Sequence, residues 1–220
     1  MRVAGADVWK GRWVVVLLKD GRFEGAHLCR NIEEVILVAV DAEVIGVDMP
    51  IGLPGAGQRR LADVQARRFV GPRGSSVFPT PPQELLACDT CRSANDLARV
   101  RGWPGVSAQT FALRSKILEV QPVAEQDERL YEVHPEVSFV ESNGGTTLAW
   151  SKGSWNGQSL RRSLLRGAGI ELPDELGEAG TAECPDLLDA AIVAWSSGRI
   201  ARGSALSLPA QSSRTHAIWR

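Results

Sequence analysis

The chain has 220 residues, of which 44% are hydrophobic and 23% are charged, as is usual for a globular protein. Its formal net charge of −1 provides no global attraction to nucleic acid or to an anionic membrane. No apolar stretch approaches the roughly 20 residues that a membrane span requires, and the N-terminus lacks the layout of a signal peptide. We therefore expect a cytoplasmic protein without a membrane partner, and its oligomeric state is left open.

The first part of the chain predicts an antiparallel meander followed by a helix and a further strand. Three consecutive strands are predicted over residues 2–7, 12–19 and 22–29. Lys19-Asp20-Gly21 is a typical hairpin turn between the last two. Residues 31–40 predict a short helix with Asn31 as a candidate N-cap. A strand over residues 43–47 follows and ends in Asp48.

The remainder is mainly helical. Helices are predicted over residues 58–69, 92–100, 107–119, 158–167 and 185–200. Residues 70–82 contain too much Pro and Gly for a helix. Residues 130–139 predict a strand that Pro135 interrupts or places at a sheet edge.

Together these elements predict one α/β domain over residues 1–205. Its core combines the three-strand antiparallel meander, a crossover helix, further strands and a C-terminal helix. A mainly helical insertion occupies about residues 55–128. Residues 206–220 predict a loosely held C-terminal tail.

The four cysteines are too few for a disulfide framework in a chain of this length. Cys88 and Cys91 have the C-x-x-C spacing that can hold zinc or carry out thiol chemistry. A structural zinc site usually needs a second ligand pair, and the sequence has none at similar spacing. We expect reduced cysteines that are mostly structural.

Asp7 and Asp48 each end a predicted strand. An Asp at the tip of a core strand needs hydrogen-bond partners or a function, although a simple turn carboxylate is the ordinary alternative. If the two strands are parallel neighbours, both carboxylates emerge at the same sheet edge. Open α/β sheets usually carry their sites at that edge.

Further acids come from two later elements. Asp186 and Asp189 are three residues apart and share one face of the last helix, where the helix dipole explains Asp186 better than Asp189. Glu132, His134 and Glu136 alternate and would share one face of an extended strand. A general base, a metal ligand and a core histidine are all open roles for His134, and we expect His134 and Glu136 to support the ligands from surrounding positions.

So many acids at one edge would repel each other strongly without a cation among them. Hard oxygen ligands suit Mg²⁺ or Mn²⁺, and two such ions about 4 Å apart can activate water and stabilise a leaving oxygen. The expected metal ligands are Asp7, Asp48, Asp186 and Asp189, and Asp7, Asp48 and Asp189 are also expected to be catalytic.

Basic side chains lie near these acids in the sequence. Solvated helix faces are the ordinary interpretation, but guanidinium and hydroxyl groups in a loop can also hold a phosphate. The candidate substrate-binding residues are Arg60, Arg67, Arg73, Ser75, Ser76 and Lys152. Local basic groups beside an acidic site suit a phosphodiester substrate, so we expect a nucleic acid partner of unknown type.

Seven stretches carry a family resemblance: GADVWKGRWVVV, IGVDMPIGLP, RRLADVQARRFVGPRGSSVF, SAQTF, EVHPEVSF, SKGSWNGQSLRR and DLLDAAIVAW. They resemble the DUF429 family, whose members are described as predicted RNase H-like nucleases, and the similarity covers about residues 3–200. The resemblance implies an RNase H-like fold. It also implies one acid on the first strand, a second on the fourth strand and a third on the C-terminal helix.

Carried over by position, these acids are Asp7, Asp48 and either Asp186 or Asp189. The D-x-x-D spacing on the last helix is similar to that of Holliday-junction resolvases in the same superfamily. RNase H itself has a further Glu on the first helix. Here Glu33 and Glu34 are better explained as capping residues. The resemblance leaves Glu132 or Glu136 to supply that acid, and we expect Glu132 to be the fourth catalytic residue.

The leading hypothesis is a metal-dependent nuclease. A nucleotide-binding or phosphotransfer protein of the actin or hexokinase type is the first alternative, but such proteins usually need a duplicated core and glycine-rich phosphate loops. A non-catalytic adaptor that keeps the fold is the second, and it would be recognised by acids that do not converge.

Overall fold

A computed structural model describes residues 1–220 and shows a mixed α/β fold. The strands are β1 (Arg2–Trp9), β2 (Arg12–Lys19), β3 (Arg22–Cys29), β4 (Val44–Val47), β5 (Leu130–Glu132), β6 (Ser207–Leu208) and β7 (Ile218–Trp219). The helices are α1 (Ile32–Val38), α2 (Leu61–Phe69), α3 (Gln83–Leu86), α4 (Cys91–Arg101), α5 (Ala108–Ala112), α6 (Arg114–Gln126), α7 (Pro135–Ser142), α8 (Trp155–Gly167) and α9 (Cys184–Ala201). None of these helices combines the length and the apolar character needed to cross a membrane.

Strands β1 to β5 form one sheet in the order β3-β2-β1-β4-β5. β1 pairs antiparallel with β2, and β2 with β3, as the two hairpin turns predict. β4 runs parallel to β1, and β5 runs parallel to β4. The carboxyl ends of β1 and β4 therefore meet at the same edge of the sheet.

Both faces of the sheet are covered, so the central strands are apolar on both sides. Val14 and Val16 of β2 pack in one core beneath α9, while Trp13 and Val15 pack in a second core against α1 and α6. This alternation follows from the two-residue period of a strand. It explains why β2 reads as an unbroken apolar run rather than as an alternating one.

The predicted cap of the first helix is confirmed, since the Asn31 Oδ1 atom accepts a hydrogen bond of 2.9 Å from the Glu34 backbone N–H. Five helices, α2 to α6, lie between β4 and β5. The four cysteines are free, and the Cys88 and Cys91 thiols contact the backbone carbonyls of Glu84 and Val106.

Three local predictions are wrong in detail. The helix predicted over residues 107–119 is two helices, because the chain bends at Leu113 between α5 and α6. Residues 71–76 form a 3-10 helix inside the stretch expected to be non-helical. The strand predicted over residues 130–139 stops at Glu132, and α7 begins at Pro135, a residue that is well suited to the first helical position.

The expectation of a loosely held tail over residues 206–220 is also corrected. β6 and β7 pair with each other, and Ile218 is buried in the core beneath α9. The Arg214 guanidinium donates hydrogen bonds to the backbone carbonyls of Leu130 and Ala124, at 2.6 and 2.7 Å. Apolar residues at the very end of the chain thus dock beside β5 rather than staying in solvent.

Candidate active site

Two aspartates leave adjacent strands side by side. Gly5 of β1 faces Gly46 of β4 in the parallel register, and the Asp48 backbone N–H donates a 2.9 Å hydrogen bond to the Ala6 carbonyl. Because side chains alternate along a strand, Asp7 and Asp48 lie on the same face as the two glycines. That is the face that α9 covers.

The glycines allow α9 to lie directly on the sheet. A Cβ atom at Gly5 would stand 2.0 Å from the Ala194 backbone N, and one at Gly46 would stand 2.5 Å from Ser197 Oγ. A larger residue at Gly5 would have to move the helix backbone, and one at Gly46 would have to displace the Ser197 and Val193 side chains. This close packing brings Asp189, near the start of α9, next to the strand-end aspartates.

A cleft of about 470 Å³ opens at this edge of the sheet. It is lined by acidic residues from β1, α7, α9 and the end of β4. Residues from the helical segment between β4 and β5 and from the loop before α8 complete the lining. The acids are Asp7, Asp48, Glu136, Asp186 and Asp189. The structure thus brings together all four residues predicted as metal ligands.

The acids perturb one another. Burial raises the pKa of Asp7 well above its usual range, and the nearby Asp48 and Asp189 carboxylates raise it further. Burial and Asp189 likewise raise the pKa of Asp48 to about 7. Burial, opposed by Lys152 and assisted by Asp189, raises the pKa of Asp186 to about 6. Without a cation these carboxyls therefore retain protons at a higher pH than ordinary aspartates, and a bound cation would favour their ionised forms.

One cation is already present in the form of a side chain. Lys152, from the loop before α8, places its Nζ atom 2.6 Å from Asp189 Oδ2. Burial raises the pKa of Asp189, and the Lys152 ammonium opposes that rise. The residue predicted to bind substrate is thus the ion-pair partner of a predicted metal ligand.

Three polar atoms in the cleft lining are buried and have no hydrogen-bond partner: Asp189 Oδ1, Glu136 Oε2 and His134 Nδ1. Glu136 is held through its other oxygen by the fully buried Arg161. Burial lowers the pKa of His134, so its imidazole is neutral near pH 7. Unpartnered buried polar atoms are rare and costly, and their concentration here indicates a place for a ligand.

The donor set is chemically suited to Mg²⁺ or Mn²⁺, because it consists of carboxylate oxygens with one unpartnered oxygen on Asp189. The side chains do not form a ready-made site, however. No group of three or more His, Cys, Asp or Glu side chains is arranged to hold a metal ion. Holding a metal ion would therefore require these side chains to move, and Asp189 Oδ2 is already paired with Lys152.

Glu132 does not belong to the cleft, which corrects the expectation that it shares a face with Glu136. It accepts hydrogen bonds from the Arg60 guanidinium at 2.6 Å and from the Ile51 backbone N–H at 2.7 Å. Arg60 also lies 3.6 Å from Asp63 and is buried. Glu132 and Arg60 thus form a structural ion pair, so neither lies where substrate would meet the acids.

Of the remaining residues predicted to bind substrate, some line the cleft and others lie outside it. Arg73 and Ser76 line the cleft, and the Arg73 Nε–H donates to the Leu148 carbonyl at 2.8 Å. Arg67 instead faces a separate cavity and donates to the Val77 carbonyl. Ser75 is exposed and lies outside the cleft lining.

Sequence reasoning missed the contribution of the helical segment to the cleft. Phe78, Gln109 and Leu113 are among the residues that line it. Gln109 lies within the SAQTF stretch, whose composition carries no chemical signal of its own. Only the similarity of that stretch to other chains pointed to it.

Comparisons with known proteins identify one family. No curated protein and no solved structure matches the chain. The family described as "Protein of unknown function (DUF429)" matches over residues 5–214, which include every acid of the cleft. The chain belongs to the DUF429 family.

Proposed function

We propose that this protein is a metal-dependent nuclease of RNase H-like fold that hydrolyses phosphodiester bonds in nucleic acid. The observation that carries the proposal is the cleft in which Asp7, Asp48, Asp186 and Asp189 converge while Asp189 Oδ1 stays buried without a partner. A buried carboxylate oxygen with no donor is costly unless a ligand completes it.

The topology supports the same proposal. An acid ends the central strand β1, a second follows its parallel neighbour β4, and a third lies on the C-terminal helix that packs across both strands. This is the arrangement that the family resemblance implies for an RNase H-like nuclease. Function still depends on the site, since related folds host unrelated activities.

The side chains of the cleft have complementary roles in such a reaction. When bound, Mg²⁺ or Mn²⁺ would supply an activated water and neutralise charge on the leaving oxygen. Asp7, Asp48 and Asp189 would hold the metal, with Asp186 at the outer side of the group. Arg73 and Lys152 present the positive charge that a phosphate requires, and the neutral His134 can accept a proton.

A non-catalytic adaptor is the second candidate, and one observation favours it. The acids are partly neutralised by Lys152, and the side chains form no ready-made metal cluster. An adaptor would keep the fold and the cleft without turning over a substrate.

The deciding experiment is cleavage of labelled RNA, DNA, RNA–DNA hybrid and branched DNA in Mn²⁺, in Mg²⁺ and in EDTA. We expect cleavage of at least one substrate that depends on metal and that falls by orders of magnitude in Asp7→Asn. Asp174→Asn removes an exposed acid elsewhere and is the matched control. Intact substrates in every condition would favour the adaptor.

A further inference from the structure

The loop before α8 sends a flexible cation into the acidic cleft. The Lys152 side chain is 47% exposed, whereas that of Asp189 is 3% exposed, and their charged atoms are 2.6 Å apart. The Lys152 side chain therefore borders solvent on one side and can rotate outward, whereas Asp189 is held in place by the packing of α9. Of this pair, only the lysine is able to leave.

Lys152 and Arg73 are the only Lys or Arg side chains that line the cleft. The Arg73 Nε–H is occupied by the Leu148 carbonyl. The Lys152 Nζ atom contacts Asp189 Oδ2 instead, so one of the proposed metal ligands already has a positively charged partner.

We propose that Lys152 is a built-in counter-ion that a divalent metal must displace from Asp189, so that this lysine sets the affinity of the site for metal. The inference rests on the proposed function. An ammonium and a divalent cation repel each other when both contact one carboxylate, so occupancy by one disfavours the other. Once displaced, the ammonium lies at the mouth of the cleft, where it can bind a substrate phosphate.

A displaceable counter-ion and a purely structural ion pair predict different effects of removing Lys152 on metal affinity. A structural pair would stabilise the fold and leave metal affinity unchanged when it is removed. A displaceable counter-ion competes with metal, so its removal strengthens metal binding while weakening the metal-free protein. The buried Asp189 carboxylate then has no cation until metal arrives.

The test measures Mn²⁺ binding by calorimetry and by the electron paramagnetic resonance signal of free Mn²⁺. We expect Lys152→Met to bind Mn²⁺ about tenfold more tightly than the wild type and to melt at a lower temperature without metal. Lys19→Met, at an exposed lysine without an ion-pair partner, should match the wild type in both measurements.

Equal or weaker Mn²⁺ affinity in Lys152→Met would overturn the counter-ion role while leaving a metal-dependent nuclease intact. Absence of Mn²⁺ binding in both proteins would overturn the counter-ion role and the metal-dependent function together. A second measurement uses the wild type and so does not depend on the folding of the variant. Acetylation of Lys152 relative to Lys19, followed by mass spectrometry, should increase when Mn²⁺ is added, and an unchanged ratio would contradict displacement.

Discussion

Gly5 of β1 lies directly beneath Ala194 of α9, so closely that a Cβ atom at Gly5 would be 2.0 Å from the Ala194 backbone N. The helix therefore rests on the backbone of the central strand with no side chain between them. This contact sets the height of Asp189 above the sheet, because Asp189 lies little more than one helical turn before Ala194. The architecture of the cleft thus depends on a residue that has no functional group.

Gly5→Ala should consequently destabilise the protein, by about 1–3 kcal/mol or more, since the added methyl forces α9 away from the strand. Gly25→Ala is the matched control, because Gly25 also lies in a strand but a Cβ there would be no closer than 3.6 Å to its nearest neighbour, His27 Nε2. The free energy of unfolding from urea titrations checks the difference. Similar losses in both variants would contradict the role of close packing.

The two aspartates of α9 should respond differently to substitution. Asp189→Asn should abolish the rise in melting temperature that Mn²⁺ causes in the wild type, because a ligand stabilises only the protein that binds it. Asp186→Asn should keep much of that rise and should not lower the melting temperature of the metal-free protein, because burial and Asp189 already disfavour the Asp186 charge. The measurement is differential scanning fluorimetry across a Mn²⁺ series. A full rise in Asp189→Asn would exclude Asp189 as a ligand.

The contribution of Asp48 to the stability of the metal-free protein should fall as the pH rises from about 4 to about 7. The pKa of Asp48 is about 7 in the folded chain and 3.8 without the fold, so within this window the folded state binds the proton that the unfolded state has released. Asp7, Asp186, Asp189 and Lys152 are the charged groups that act on it. Urea midpoints at pH 5 and pH 7.5 measure the effect.

Asp48→Asn should flatten this pH dependence, because the amide does not titrate. Asp174→Asn should leave it unchanged, since that acid is exposed and lies outside the cleft. The same pH dependence in Asp48→Asn and in the wild type would contradict the raised pKa of Asp48.

Arg161 should be far more important for stability than its neighbour Arg162. Arg161 is fully buried and pairs with Glu136, so Arg161→Ala leaves a buried carboxylate without its partner, at a cost of about 3–5 kcal/mol. Arg162 is exposed, and Arg162→Ala should change stability by less than about 0.5 kcal/mol. Chemical denaturation of the two variants checks the contrast, and equal costs would contradict it.

The two arginines near the 3-10 helix should separate in nucleic acid binding. Arg73→Ala removes a positive charge from the cleft, so affinity for an oligonucleotide should fall and the salt dependence should flatten by about one counterion. Arg67→Ala should leave both unchanged, because Arg67 faces a different cavity. Fluorescence anisotropy at several salt concentrations measures both quantities. An equal loss in the two variants would indicate general electrostatics rather than binding in the cleft.

Local patterns in the sequence were sufficient for the sheet and for two of its acids. The apolar run of β2, the hairpin turns and the Asn31 cap each depend on residues close together in the chain, and the structure confirms them. The sequence placed Asp7 and Asp48 at the ends of their strands, and the parallel pairing that brings them to one edge was a condition that the structure fulfils.

Only the tertiary structure determines which ion-pair partner each charged residue contacts. Glu132 and Glu136 look equivalent in the sequence, yet one pairs with Arg60 away from the cleft and the other with Arg161 at its wall. Lys152 reaches Asp189 across 37 positions of the chain. Local periodicity determines which way a side chain points from its own element, but ion pairs over such separations depend on how the elements pack.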